Sequence, residues 1–287
     1  MPTTTDYLTQ LQTDKQTLVT NLVAKGVSAS SSDTFTTLAP KVLEISGGMD
    51  WQDTITDDWD TIIANANAGT VSGYSIGDTK TLEFLYNGMP IVLQFMIIDK
   101  SHETISGTTT KAALTFMTKY RQLWNRYSES NSNTGGYMGA TGDLYSVSLD
   151  ETDGALDNGC LLRKNLWTIY KAFPSNLQTA IKTVDKSYDD ADDSIRTAKE
   201  KFFLPCYEEL GLSPTSTYQG SAGQGTAYSY FTGADDRKLS GIGNTVMGTR
   251  SRRKANTTNF LECQTTGGTI TGSGATVFVS ACACFCL

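Results

Sequence analysis

Residues 82–98 read Leu-Glu-Phe-Leu-Tyr-Asn-Gly-Met-Pro-Ile-Val-Leu-Gln-Phe-Met-Ile-Ile, and this stretch decides the fold class. Leu82, Phe84 and Tyr86 alternate with the period of two that a strand requires. Asn87-Gly88 is the residue pair that best tolerates the positive φ angles of a two-residue hairpin turn. The apolar run at 91–98 then reads as a buried return strand. Thr is β-branched and favours strands, and the chain's 42 threonines point the same way, against an all-helical protein. Just upstream, Trp51, Ile55, Trp59, Ile62 and Ile63 form a helical stripe over 51–68, closed by Gly69. A hairpin beside a helix places the chain in the α+β class.

Residues 1–48 form a separate piece. Leu8, Leu11, Leu18, Leu22 and Val23 recur at helical spacing from about Thr5 to Lys25, where Gly26 stops the helix. Asp33 is positioned to cap a second short helix over 38–45, which contains Pro40. Two helices this short cannot bury their apolar faces alone, so the piece is expected to pack on copies of itself or on another protein. Gly47-Gly48 marks the hinge, and residues 49–287 form the main domain. Within it, 111–127 reads as a helix through Leu114, Met117 and Leu123. Residues 165–173 and 174–183 read as a helix, a break at Pro174 and a short helix, and 202–204 as a short strand. The last quarter is rich in Gly, Ser and Thr. Short strands are expected at 260–263, 269–271 and 275–280, with a buried end at 283–287.

The composition excludes several function classes. The chain has 287 residues, a mass of 31.1 kDa and a net charge of −7, which argues against general nucleic-acid binding. Its longest apolar run, 89–98, is half the roughly 20 residues of a membrane span, so no membrane insertion is expected. Thr3, Thr4, Thr5 and Asp6 stand where a signal peptide would carry basic and then apolar residues, which implies synthesis in the cytoplasm.

Chemistry-bearing residues are sparse. Cys282, Cys284 and Cys286 alternate, so on a strand they share one face and read as small core side chains. His102 is the single histidine and has no triad or metal motif around it, which makes it an ordinary polar residue after a strand. Asp150, Asp153 and Asp157 lack calcium-loop spacing, and Asp189, Asp190, Asp192 and Asp193 read as a solvated turn. The loop Gly220-Ser-Ala-Gly-Gln-Gly225 lacks the Gly-Lys-Ser/Thr of a phosphate loop. Arg250, Arg252, Arg253 and Lys254 form one basic cluster suited to an anionic glycan or phosphate polymer, or to plain solvation.

An ordered set of short motifs runs from residue 72 to the end. It comprises Ser75-Ile-Gly-Asp-Thr79, the strand 91–99, His102-Glu103, Val184-Asp-Lys186 and Lys201-Phe-Phe-Leu-Pro205. Glu208-Glu-Leu-Gly211, Thr249-Arg-Ser251, Asn259-Phe260, Gly267-Gly268 and Phe285-Cys-Leu287 complete it. In this order they resemble the C-type-lectin-like domains of gut bacteria and their phages, relatives in fold of formylglycine-generating enzymes and of the variable proteins of diversity-generating retroelements. Where the family usually has Trp, Pro and Val, this chain has Met247, Arg252 and Cys263. Residues 1–48 separately resemble a segment common at the start of phage tail and fibre proteins, through Lys25-Gly-Val27, Asp33-Thr-Phe35 and Leu38-Ala-Pro-Lys-Val42.

These resemblances imply a tail or fibre receptor-binding protein in the virion, made in the host cytoplasm. A lectin-like scaffold would display a C-terminal surface, about 249–287, to a host cell-surface protein or glycan. The N-terminal segment would join other tail proteins, with a homotrimer expected. Phe260, Phe285 and Leu287 would lock the scaffold. The displayed positions would be Arg252, Arg253, Lys254, Asn256, Glu262, Gln264, Thr269, Thr271, Ser273, Thr276, Phe278 and Ser280, which retroelement diversification would vary in this family. The resemblance implies no catalytic residue, metal or cofactor. Two other readings stand beside it: a purely structural fibre or decoration protein, and a formylglycine-generating-type enzyme that would need copper bound by Cys282, Cys284 and Cys286.

Overall fold

The computed structural model describes residues 3–24, 28–41, 51–121, 123–125, 161–189, 194–213, 222–240, 246–252, 259–264, 267–274 and 279–287. The chain divides into two compact units, 1–51 and 52–287.

In the first unit, helix α1 spans Thr4–Ala24 and helix α2 spans Phe35–Lys41. Thr3 and Asp6 cap α1 reciprocally: Asp6 Oδ2 accepts from the Thr3 N–H at 2.6 Å, and Thr3 Oγ1 accepts from the Asp6 N–H at 3.2 Å. The threonines of α1 are accommodated by back-bonding, with Thr9, Thr13, Thr17 and Thr20 each donating a hydroxyl to the carbonyl four residues earlier. Val19, Leu22 and Leu38 are the buried core of this unit. The capping of α2 differs from expectation. Thr34 Oγ1 accepts from the Thr37 N–H, while Asp33 instead accepts from the Ser30 N–H and the Lys41 ammonium.

The second unit begins its helix later than the apolar stripe suggests. Helix α3 covers Trp59–Ala68; the Asp58 carboxylate accepts from the Thr61 N–H at 2.8 Å, which fixes the start, and Gly69 closes it at φ 71°. Strands β1 (Thr79–Tyr86) and β2 (Met89–Lys100) form the expected hairpin, with Asn87 at φ 51° and Gly88 at φ 77°. Strands β3 (Leu114–Thr118) and β4 (Leu123–Asn125) replace the helix expected at 111–127. All five residues of β3 are buried. A strand covered on both faces carries an apolar run without alternation, and its spacing imitates a helix. Helices α4 (Leu161–Tyr170) and α5 (Ser175–Ala180) flank Pro174. Strands β5 (Val184–Asp189) and β6 (Ile195–Glu200) pair as a two-stranded ribbon. Residues 202–204 form no strand, only a bridge from Phe203 to Cys284.

The remaining strands are β7 (Val246–Arg252), β8 (Asn259–Gln264), β9 (Ile270–Gly274), β10 (Val279–Ala281) and β11 (Cys284–Cys286). The sheets run β1-β2-β3-β11 and β4-β10-β7-β8-β9, so the chain's last strand lies against β3. The mixed α+β class is therefore present. No helix among the described residues is long and apolar enough to cross a membrane.

Strand β11 is the seam between two cores. Ala283, Phe285 and Leu287 enter a core with Phe95, Phe116 and Phe173. Cys282, Cys284 and Cys286 point the other way, into a core with Met96, Met117, Phe203 and Met247. The Phe285 ring stacks on Phe116 at 5.1 Å and meets Phe95 edge-on at 4.9 Å.

Candidate functional site

Four buried charged side chains converge beside β5. Lys186 projects inward from that strand, Glu103 follows β2, Glu209 lies in the turn after Pro205, and Arg250 lies on β7. Arg250 grips Glu209 with both guanidinium ends: Nη1 donates to Oε2 at 2.6 Å and Nη2 to Oε1 at 2.7 Å. Lys186 Nζ donates to Glu103 Oε1 at 2.7 Å, pairs with Glu209 Oε1, and reaches the Tyr228 hydroxyl at 3.3 Å. The two cations balance the two carboxylates, which is the condition for keeping them in a protein interior.

The titration behaviour follows from this pairing. Burial raises Glu209, but Arg250 and Lys186 outweigh it and hold the carboxyl below its ordinary range. Glu103 is likewise pushed up by burial, and Lys186 with the hydrogen bonds from His102, Lys186 and Tyr228 brings it well below. Lys186 is lowered by burial and raised more strongly by Glu209 and Glu103. The depressed carboxyls contribute stability above their unfolded pKa of about 4.3, and that stability is lost as pH falls toward their folded values. The raised Lys186 contributes stability below about pH 10.4, lost at higher pH. Glu200, raised by burial despite Arg163, acts oppositely and contributes on the acid side, with the loss coming as pH rises through its folded pKa. The melting temperature is therefore expected to fall steeply below about pH 4. Glu103→Gln should flatten that acid limb when melting is followed by circular dichroism across pH.

A cavity of about 390 Å³ opens over this network. His102, Glu103, Lys111, Asp185, Lys186 and Thr226 are among its lining residues. His102 Nδ1 lies 3.1 Å from Glu103 Oε1 and Nε2 lies 2.9 Å from Thr226 Oγ1. A carboxylate only accepts, so Nδ1 carries the proton and a neutral ring accepts the threonine hydroxyl at Nε2. Its ring also packs on Tyr228, with centroids 4.7 Å apart. His102 is thus a fixed wall of a cavity, a role that no local motif signals.

The glycine loop closes the same region. The N–H groups of Gly223, Gln224 and Gly225 converge on Glu208 Oε2 at 3.1, 2.6 and 3.1 Å. This is an anion cradle, and the anion it holds is the chain's own carboxylate. Gly225 passes so close to Glu209 that an added Cβ would lie 2.7 Å from Cγ. Residues 220–221 lie outside the described residues. Asp189 is buried and accepts from Gln224 Nε2 at 2.5 Å, contrary to the solvated turn expected there; Asp190, Asp192 and Asp193 lie outside the described residues.

Cys206, Cys282, Cys284 and Cys286 are buried thiols. Burial pushes Cys206 up to about 12 and Cys284 and Cys286 upward as well, so none of these three is a ready thiolate. Among the described residues no group of three or more His, Cys, Asp or Glu side chains is arranged to hold a metal ion. Asp150, Asp153 and Asp157 lie outside the described residues.

The C-terminal positions separate into groups. Thr269 is exposed and Thr271 half-buried, on the edge of the second sheet. Glu262 on β8 stands in register with Thr271 on β9, and Phe260 with Ser273. Ser280 is a correction: it is fully buried on β10, donating to the Val246 carbonyl at 2.8 Å and accepting from Arg121 Nη1 at 2.7 Å. Arg250 leaves the basic cluster for the interior, and Arg252 ends β7. Arg253, Lys254, Asn256, Thr276 and Phe278 lie outside the described residues.

Comparison with protein-family models, curated proteins and solved structures gives no match for this chain.

Proposed function

We propose that the chain is a receptor-binding protein of a phage tail or fibre. In this reading a C-type-lectin-like scaffold carries a variable edge toward a host cell-surface protein or glycan, with no catalytic step. The carrying observation is the contrast within residues 246–287. The described interior positions Thr249, Arg250, Ser251 and 279–287 are all buried, whereas Gly267 and Thr269 at the β8–β9 turn are exposed and Thr271 is half-buried on an edge strand. A rigid floor beneath a solvent-facing edge supports display, because edge side chains can change without disturbing packing. Retroelement diversification of that edge and a virion location belong to the same proposal and rest on the sequence motifs.

Assembly would run through α1. Tyr7, Leu8 and Leu11 are exposed on it, and Leu8, Leu11, Lys15, Leu18 and Leu22 follow the three-and-four spacing of a coiled-coil seam. A homotrimer would cover the exposed Tyr7, Leu8 and Leu11 and join the unit to neighbouring tail proteins. The test is adsorption of purified chain to candidate host cells. Replacing Thr269 and Thr271 with Lys should abolish adsorption while leaving the melting temperature within about 2 °C, as expected of surface changes. Adsorption that survives both substitutions refutes the display edge, and a monomer mass in light scattering refutes the trimer.

A further inference from the structure

The cavity over the ion network shares no residue with the proposed display edge, and its own polar atoms describe a ligand. Glu103 is 92% buried at the side chain by its 8% exposure, and Oε1 takes every hydrogen bond it makes: from Lys186, from Tyr228 and from His102. Among the described residues none donates to its second oxygen, Oε2, which is not sealed from solvent. A nearly buried carboxylate oxygen facing a cavity without a donor is an unmet acceptor. Asp185 adds an exposed acceptor on the wall, with Ser106 Oγ donating to its Oδ1 at 2.7 Å and Oδ2 left to solvent or ligand. Lys111 adds a donor: its ammonium spends two N–H groups on the His102 carbonyl and Thr104 Oγ1, leaving a third.

Charge then selects among ligands. Lys186, with Arg250 behind Glu209, balances Glu103 and Glu209 on the floor, and the wall carries one charge of each sign, Lys111 and Asp185. An anion would face three carboxylates, and a cation would face two ammonium groups with the Arg250 charge behind Glu209, so neither sign is strongly favoured. A neutral molecule that donates and accepts at several points fits both the unmet acceptors and the spare donor. The volume of about 390 Å³ lies at the small end of ligand pockets.

We propose that this cavity binds a neutral polyhydroxylated ligand of the size of one sugar unit. Its hydroxyls donate to Glu103 Oε2 and Asp185 and accept from Lys111, with the His102–Thr226 pair as a fixed wall. The inference does not depend on the adhesin reading: glycoside binding is read at His102 and through Asp185→Asn, and adsorption through the Thr269 and Thr271 variants.

His102 is the chain's single histidine, so its ring resonances form an unambiguous reporter. The full chain is titrated with methyl glucoside, methyl galactoside and methyl N-acetylglucosaminide, with ethylammonium and acetate as charged probes. A saturable shift of the His102 ring with at least one glycoside and with neither ion is expected. Asp185→Asn, at an exposed position, should weaken that binding about tenfold, the worth of a hydrogen bond to a charged acceptor. Thr226→Ala should weaken it as well, while Thr269→Ala leaves it unchanged. No saturable shift with any glycoside overturns the proposal. So does tighter binding of either ion, or glycoside binding that Asp185→Asn and Thr226→Ala leave intact.

Discussion

Arg250→Ala is expected to remove about 3–5 kcal/mol of folding stability, the cost of breaking a buried ion pair from one side. Arg250 is fully buried, and all five of its N–H donors are placed. Two go to Glu209, and the others go to the carbonyls of Ser187 at 2.7 Å, Leu204 at 2.8 Å and Gln224 at 3.0 Å. Truncation strands three backbone acceptors and leaves Glu209 with Lys186 as its only cation among the described residues. A domain with about 5–15 kcal/mol in total has little room for such a loss. Arg250→Lys should recover only part of it, because an ammonium keeps the charge and loses the fork that spans both carboxylate oxygens. Glu209→Gln placed on the alanine variant should restore stability relative to that variant, since it removes the stranded charge. Urea unfolding of the wild type, Arg250→Ala, Glu209→Gln and the double variant gives the coupling directly. A loss below about 1 kcal/mol for the alanine variant would place the network among contacts that contribute little.

How much of this was legible in the chain depends on whether an element carries its own local signal. The β1–β2 hairpin did, because Asn87-Gly88 dictates its turn and one face of β1 alternates. The alternation at 282–286 did too: Cys on one side and Ala, Phe and Leu on the other match the two cores. Strand β3 did not, since burial on both faces erases the period that would mark it. The ion network was the least visible. Glu103, Lys186, Glu209 and Arg250 lie far apart in the chain, and each alone looks like a solvated residue. Arg250 reads as part of a basic cluster with Arg252, Arg253 and Lys254, and only the pairing of β7 within the second sheet takes it inside. His102 is similar: its neighbours Thr226 and Tyr228 come from a loop more than a hundred residues later. Charge complementarity across such separations leaves no periodic trace.

Phe285→Ala is expected to cost about 3–5 kcal/mol, comparable to Arg250→Ala by a different mechanism. The ring is fully buried and lies among Phe95, Phe116, Phe173 and Trp59, with centroids 4.9, 5.1, 6.5 and 6.1 Å away. Each of those rings is itself held by others, as Phe95 is by Phe173 at 6.1 Å and Phe202 at 6.4 Å, so the void cannot close by moving one side chain. The loss also reaches past the core. The N–H and carbonyl of Leu287 are both bonded to Leu114, and the Cys284 N–H and carbonyl to Phe203, so β11 joins the first sheet to the turn that carries Glu209. Loosening β11 should therefore increase hydrogen exchange at Phe203 and Leu114 together. Cys284→Ala, made on the opposite face of the same strand, removes one sulfur from the other core and should cost about 1 kcal/mol, with little change in exchange at Leu114. If both substitutions cost the same and both open Leu114, β11 acts through its backbone pairing alone. If only Phe285→Ala does so, the aromatic cluster is what holds the last strand, and with it the floor of the cavity, in place.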